Sequence, residues 1–536
     1  MGPVPSPTTL ADRYDAVVVG SGPNGLVAAN LLADEGWRVV VLEAMPTPGG
    51  AVRSSELIES GFVNDHCSAF YPLAAASPVL RRLDLGAHGL RWREAPSVLA
   101  HPTLEGDGPE LSRNLDVTAA SLDADHPGDG DAWRSLHRRW DDLEPALFRL
   151  LFTPFPPVRG GAGLVRRLRP RELLRFARFA LLPVRRLGEE EFGGVAGRRL
   201  LAGAALHTDL PPEANLSGFM GWLICALGQT YGFPVPEGGA SGLSGALVAR
   251  LHASGGEVHC DAPVRQVTVA SGRAVGVELA DGTRVLAERA VLADVNAPLL
   301  YRRLVAAGDL PGSLLADLDR FQWDDATFKV DWTLDGPIPW RSAPARRAGT
   351  VHVAESVDEL TVTASELARH LVPAKPFLLV GQQSMTDATR APVGKETAWA
   401  YTHVPRDVRG DAGGALRGDW GPDDVERFAE RIEDRIEALA PGFRDLVRGR
   451  HVMAPADLEA DNPNLDTGSI NGGTAALHQQ LVFRPVPGSG RPSTPIKGLF
   501  LASGSAHPGG GVHGAAGSNA ARAALSQDRR RRVARR

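Results

Sequence analysis

Tyr14-Asp-Ala-Val-Val-Val-Gly20-Ser-Gly22-Pro-Asn-Gly25 and Gly36-Trp-Arg-Val-Val-Val-Leu-Glu43 bracket a helical pattern near the start of a 536-residue chain. Residues 16–19 are a short apolar run rich in β-branched side chains, which predicts a strand buried on both faces. Gly20 permits the tight turn, Gly22 lets backbone approach a pyrophosphate, and Gly25 lets the following helix pack closely on the strand. The unpaired N–H groups at that helix start attract phosphate. Glu43, ending the second strand, is placed to accept ribose hydroxyls. Glycine is common here, at 60 residues, so the Gly-x-Gly-x-x-Gly pattern alone carries little weight. The strand before it, the helix after it and the acid about 20 residues on identify an adenine dinucleotide site. They do not say which dinucleotide.

Composition narrows the class. A hydrophobic content of 43% with 23% charged residues is that of a globular chain of two to four structural units. The net charge of −5 gives no sign of nucleic-acid binding. Cys67, Cys225 and Cys260 contain no Cys-x-x-Cys pair, which argues against a disulfide framework or thiol-ligated zinc and fits a reducing cytoplasm. No metal-ligand spacing stands out. Residues 1–13 lack a leader's apolar core, and no run of 18 uncharged apolar residues follows, so a cytoplasmic chain without a spanning helix is expected. Met1-Gly2 with Ser6 formally matches a myristoylation pattern, which Pro3 and Pro5 argue against. Only Lys329, Lys375, Lys395 and Lys497 are lysine, so arginine clusters reflect composition before function.

Outward from the opening motif, Gly49-Gly50 permits backbone contact with a flat or charged group, and Arg53 is placed to meet a phosphate. From about residue 76 to 230 the patterns turn helical. Residues 158–188 interleave nine arginines with leucine and phenylalanine around a single acid, Glu172. Such a segment can lie on an anionic membrane, although a solvated cap helix is the plainer reading. Residues 255–296 return to strands around an Asp281-Gly282 hairpin turn. Residues 423–439 predict an amphipathic helix stopped at Pro441-Gly442. Leu499-Phe-Leu-Ala502 predicts a buried strand running into Ser-Gly-Ser-Ala-His-Pro-Gly-Gly-Gly-Val-His-Gly514 and a small-residue helix. This repeats the strand–glycine turn–helix geometry, so a second helix start can face a ligand and stabilise electron density on a reduced ring. The arginine-rich end, 528–536, is expected to be a disordered tail.

With both ends in view, the chain resembles the phytoene desaturase and carotenoid isomerase group of amine-oxidase-like flavoproteins. The matching pieces are residues 17–25, Glu43 with Gly49-Gly50, Gly61-Phe-Val-Asn-Asp-His-Cys-Ser-Ala-Phe70, Pro236-Glu-Gly-Gly239, Asn462-Pro-Asn-Leu465 with Ile470-Asn-Gly-Gly473, and residues 499–521. The resemblance implies FAD, with Gly20, Ser21, Gly22, Asn24 and Gly25 at the pyrophosphate and Glu43 at the ribose. It places Val264 beside the adenine, and Gly504, Ser505, Gly511 and Val512 along the ribityl chain and flavin. The family often carries an acid where Ser505 stands, a departure in this chain.

The implied architecture is α/β. A Rossmann-like FAD-binding domain of the glutathione-reductase and amine-oxidase type is assembled from 1–75, 232–300 and 456–527. A mixed α+β substrate domain with a helical cap takes 76–231 and 301–455. The expected reaction is hydride removal from an apolar small molecule to flavin N5. No second dinucleotide motif is present, so oxygen or a quinone is the expected electron acceptor. His507 and His513 are candidate proton handlers within the second glycine turn, with Asp65 and His66 in the early block. The alternatives are a flavin amine oxidase, although 503–519 holds no aromatic residue, and a non-catalytic carrier of prenyl or lipid ligands.

Overall fold

The β-branched runs form the centre of the first sheet in a computed structural model that describes residues 10–535. Strand Arg13–Val19 lies parallel between Val39–Leu42 and Arg284–Ala293, with Val17 opposite both Val40 and Val291. Glu257–His259 extends the sheet beyond Val39–Leu42, and Leu499–Leu501 joins it beside Arg284–Ala293. The hairpin strands Val264–Ala270 and Arg273–Leu279 complete it antiparallel. Residues 16–19 and 39–42 are buried because helices cover one face and the 264–279 hairpin with segment 297–318 covers the other. Helix Pro23–Asp34 packs between Ala515–Arg535 and Ser241–Ala253. The parallel strands therefore end together at one edge, where ligands of such sheets bind.

The second sheet runs in the order Val447–Met453, Ala326–Leu334, Glu396–Val404, Leu378–Gly381, Ala348–Val353, Ser97–Ala100, Glu110–Leu111. Phe328, Val330, Trp332, Val380 and Ala400 face helix Pro422–Leu439, which inserts Phe428, Ile432 and Ile436. Successive side chains alternate across a strand. Lys329, Asp331, Trp399, Tyr401 and His403 consequently belong to the opposite face. There Leu99, Leu379 and Trp399 meet a helical layer whose core includes Trp133, Trp140, Leu200, Trp222 and Leu227.

Residues 158–188 form helix Val158–Arg167, helix Pro170–Leu181 and the start of Val184–Glu191. The tail departs from expectation: helix Ala515–Arg535 continues through most of 528–536. Contacts back to the first domain explain this, with Arg529 pairing with Glu35 at 2.9 Å and Arg531 donating to the Glu288 carbonyl at 3.2 Å. Residues 1–9, with the myristoylation-like pattern, and Arg536 lie outside the described residues.

Candidate active site

The opening motif folds as its glycines require. Gly20 adopts φ +92°, a conformation that L side chains rarely take, and a Cβ there would stand 2.7 Å from the Asp294 carbonyl. A Cβ on Gly25 would strike the Gly20 carbonyl. Ser21 is fully buried and donates to Glu43 Oε2 through its N–H at 2.8 Å and its hydroxyl at 2.6 Å. Its Oγ also accepts from the Gly49 N–H at 3.0 Å. Glu43 Oε1 accepts from the Met45 N–H at 3.0 Å. Glu43 therefore braces the turn as well as ending the strand expected to meet the ribose. Asn24 meets the last helix, whose Gly517 lies against the Asn24 carbonyl. Segment 259–262 bonds back to 43–45, and Val264 opens the next strand at the same end of the sheet.

The Gly49-Gly50 loop lies directly on this turn, since a Cβ on Gly50 would be 3.2 Å from the Gly22 Cα. Arg53 also has partners within the protein. Its Nε donates to the Gly50 carbonyl at 2.8 Å and its NH2 pairs with Asp461 Oδ2 at 2.6 Å, so the guanidinium is committed to tying this loop to residue 461. Asp65 and His66 are committed too. Arg390, Ser54 and the Ala240 N–H surround the Asp65 carboxylate. His66 bridges Ser55 Oγ at 2.8 Å and Asp461 at 2.9 Å.

The second glycine turn follows strand Leu499–Leu501 and is held from below by segment 469–474. Ser505 Oγ donates to the Gly472 carbonyl at 2.8 Å, so its hydroxyl is engaged within the protein. Arg484, fully buried, donates to the Asn471 carbonyl at 2.8 Å, the Thr474 carbonyl at 2.9 Å and the Gly504 carbonyl at 2.8 Å. Asp324 accepts from the N–H groups of Asn471 at 2.8 Å and Gly473 at 2.9 Å. Gly511 is exposed and Val512 half-buried, leaving that part of the turn accessible. The two histidines serve the backbone. His513 Nδ1 accepts from the Ala515 N–H at 3.0 Å, and His507 Nε2 lies 3.0 Å from the Thr153 carbonyl. Burial pushes both imidazoles down to about 4, so they stay neutral at ordinary pH.

Three groups escaped sequence reasoning. Asp294, just beyond Arg284–Ala293, accepts from the Gly25 N–H at 2.7 Å. Asp209, held at φ +62°, accepts from Asn471 Nδ2 at 2.6 Å. His403 Nε2 sits 3.0 Å from Asp209 Oδ1, within ion-pair reach but unaligned for a hydrogen bond. Burial pushes Asp209 well above the carboxylate range and holds His403 below its ordinary value, so both side chains are kept uncharged. On the same sheet face, Trp399 stacks on Tyr401 at 5.5 Å, and Tyr401 meets His207 edge-on at 6.3 Å. Cys67 and Tyr401 are incompletely buried. Burial pushes the Cys67 thiol up to about 11 and the Tyr401 phenol well above its usual range, yet both side chains keep accessible surface.

The chain matches known proteins along most of its length. The family model described as flavin containing amine oxidoreductase matches residues 24–311, more than half of the chain. The mouse pyridine nucleotide-disulfide oxidoreductase domain-containing protein 2 is 29% identical, with 96% of this chain and 93% of that protein covered. A neurosporene-forming phytoene desaturase of Cereibacter sphaeroides is 26% identical over 98% of this chain and 96% of that protein. Among solved structures, an oxidoreductase from Methanosarcina mazei matches with a TM-score of 0.59 and 15% identity, covering 95% of this chain and 99% of that one.

Proposed function

The chain belongs to the flavin containing amine oxidoreductase family and is an FAD-dependent oxidoreductase; on that premise we propose that it removes hydride from an apolar organic substrate, in a desaturation or related dehydrogenation. The residues present fit FAD. The cradle at 20–25 has no room for side chains, and both glycine turns run into helix starts at one sheet edge. Buried Ser518 Oγ and both amide atoms of Asn519, at the start of the last helix, lack protein partners, as polar atoms facing a bound group would. We assign the pyrophosphate to 20–25, the ribose to Glu43, the adenine to the Val264 end, and the ribityl–flavin end to Gly49, Gly50, Gly504, Gly511 and Val512. Bound FAD supplies the hydride acceptor, and oxygen or a quinone takes the electrons onward.

The observation that carries the substrate assignment is a set of incompletely buried apolar side chains where the second sheet meets the helical layer. Phe70, Leu73, Met220 and Tyr401 are partly buried there, against the largest apolar cluster. They would hold an apolar molecule and exclude water. A desaturation also releases a proton from the neighbouring carbon. His403, held uncharged by burial beside Asp209, is the base suited to accept it. The test is anaerobic bleaching of the flavin band with a panel of lipids, terpenoids and amines. Bleaching by apolar compounds, slowed at least about tenfold in His403→Asn with flavin content unchanged, is expected. Colourless protein, or bleaching by amines alone, overturns the reading.

A second reading, amine oxidation, is favoured by the stacked Trp399–Tyr401 pair, whose aromatic faces suit a cation. Peripheral membrane contact through 158–188 completes the proposal. Val158, Val165, Leu174 and Leu181 are 71%, 60%, 74% and 51% exposed. Arg166, Arg169, Arg171 and Arg175 have no ion pair among the described residues, whereas Arg178 and Arg186 pair with Glu190. Sedimentation with anionic vesicles, abolished by Leu174→Glu with Val165→Glu, is the expected result. Equal sedimentation of the double variant overturns it.

A further inference from the structure

We infer that Asp294 works in the dinucleotide site as a neutral carboxylic acid that donates a hydrogen bond toward the pyrophosphate, so that cofactor affinity falls as pH rises. The geometry begins with the strand end. The Asp294 N–H donates to the Val19 carbonyl at 2.8 Å, which locks residue 294 beside the first strand just where the glycine turn begins. Its Oδ2 then lies 2.7 Å from the Gly25 nitrogen and 2.6 Å from the position a Cβ on Gly22 would take. The carboxyl group thus fills the space left by the absent side chain at the glycine whose bareness admits a pyrophosphate. It is 7% exposed.

The surroundings are electrostatically one-sided. Glu43 grips the same turn from the other flank through Ser21. Behind Glu43, the loop after Glu257–His259 adds Cys260 and Asp261. The loop packed on Gly22 carries Arg53, whose guanidinium is already paired with Asp461. The last helix meets this level at Gly517, next to the uncharged Ser518 and Asn519. An ionised Asp294 would add a second carboxylate, besides Glu43, to a crevice that must also take two phosphate charges, an unfavourable arrangement. Protonated, the group keeps one oxygen as acceptor for the Gly25 N–H and offers an O–H to the ligand. Burial, with Glu43 adding to it, raises this carboxyl to about 7 against the opposing Gly25 hydrogen bond. A bound anion raises its proton affinity further.

Binding of FAD and of ADP-ribose, which carries the same non-titrating pyrophosphate diester without the flavin, to full-length flavin-stripped protein tests this at about pH 6 and about pH 8.5. In the wild type both ligands are expected to weaken at least about tenfold at the higher pH. Asp294→Asn keeps a donor of the same size that does not titrate, and its affinities should change less than about twofold across that range. Asp294→Ser, a second non-titrating variant, should be equally flat should the asparagine misfold. Equal wild-type affinities at the two pH values overturn the inference, as does pH dependence confined to FAD, which would put the proton at the flavin end. A variant as pH-dependent as the wild type also overturns it. Failure of the wild type to bind FAD at either pH would instead strike at the cofactor itself.

Discussion

At the scale of single residues, the second glycine turn is organised by two buried side chains, an acid and an arginine, that act on backbone. Asp324 collects N–H groups of 471–473 and Arg484 collects carbonyls of 471–474 and 504, so together they fix the loop on which the second glycine turn rests. Arg484→Gln would leave several buried carbonyls unpaired, each costing about 1–3 kcal/mol. The expected outcome is a stability loss of at least about 3 kcal/mol in urea unfolding, with flavin released at a lower temperature. A variant with wild-type stability would show that the loop is held otherwise. Residues of this kind were not legible in the sequence. The glycines at 20, 22, 25, 49 and 50 were, because their role follows from local backbone and a fixed spacing. Asp294 meets Gly25 across 269 positions, and Asp209 meets Asn471 across 262. Only the folded chain brings such pairs together. The same limit applies to Arg53, His507 and His513: proximity to a motif singled them out, and their partners, Asp461 and backbone groups, appear only in the folded chain.

At the scale of elements, the strands near both glycine turns were legible because short apolar runs bounded by glycine, Val-Val-Val at 17–19 and Leu-Phe-Leu at 499–501, signal buried strands without tertiary information. The second sheet was less so, since its two faces are both buried and its polar face looks like loop sequence. That face is a row of imidazoles and aromatics. His352 stands edge-on to His101 at 5.8 Å and to His207 at 5.6 Å, and Gly203 of helix Ala196–Leu206 closes on the first two rings. Burial lowers His101 to about 3 and His207 to about 4. A histidine depressed on folding contributes stability that is intact above its unfolded value and lost as pH falls toward the folded one. Buried acids raised on folding, such as Asp294 and Glu396 at about 7, act in the opposite direction over the same window, so the whole protein's profile is a partial cancellation. A difference between variants isolates the imidazole. His101→Gln should be relatively better tolerated at pH 5 than at pH 7.5, by about 2 kcal/mol of unfolding free energy. An identical penalty at both pH values would mean that His101 titrates normally in the folded state.

At the scale of the molecule, the FAD site proposed above is gathered from segments that lie far apart in the chain, so on that reading cofactor and fold stabilise each other. The turn at 20–25, the 259–264 stretch and the start of the last helix meet at one edge only when the first sheet is complete. A ligand that binds only this assembled form stabilises it by about 2.7 kcal/mol at a hundredfold excess over its Kd. The last helix divides this effect along its length. Its first part buries Ala520, Ala521 and Ala524 in the cluster that holds the glycine-turn helix and Ala516 in the cluster across the sheet, whereas from residue 529 its side chains are mostly exposed. Truncation after residue 528 removes the exposed Arg529–Glu35 pair, worth at most about 1 kcal/mol, and should leave flavin content and FAD-dependent thermal stabilisation intact. Truncation after residue 514 removes the buried part and the helix start that faces the crevice, and should yield protein without bound flavin whose melting temperature no longer responds to added FAD. Loss of flavin from the shorter truncation would place the basic extension within the cofactor site rather than beyond it.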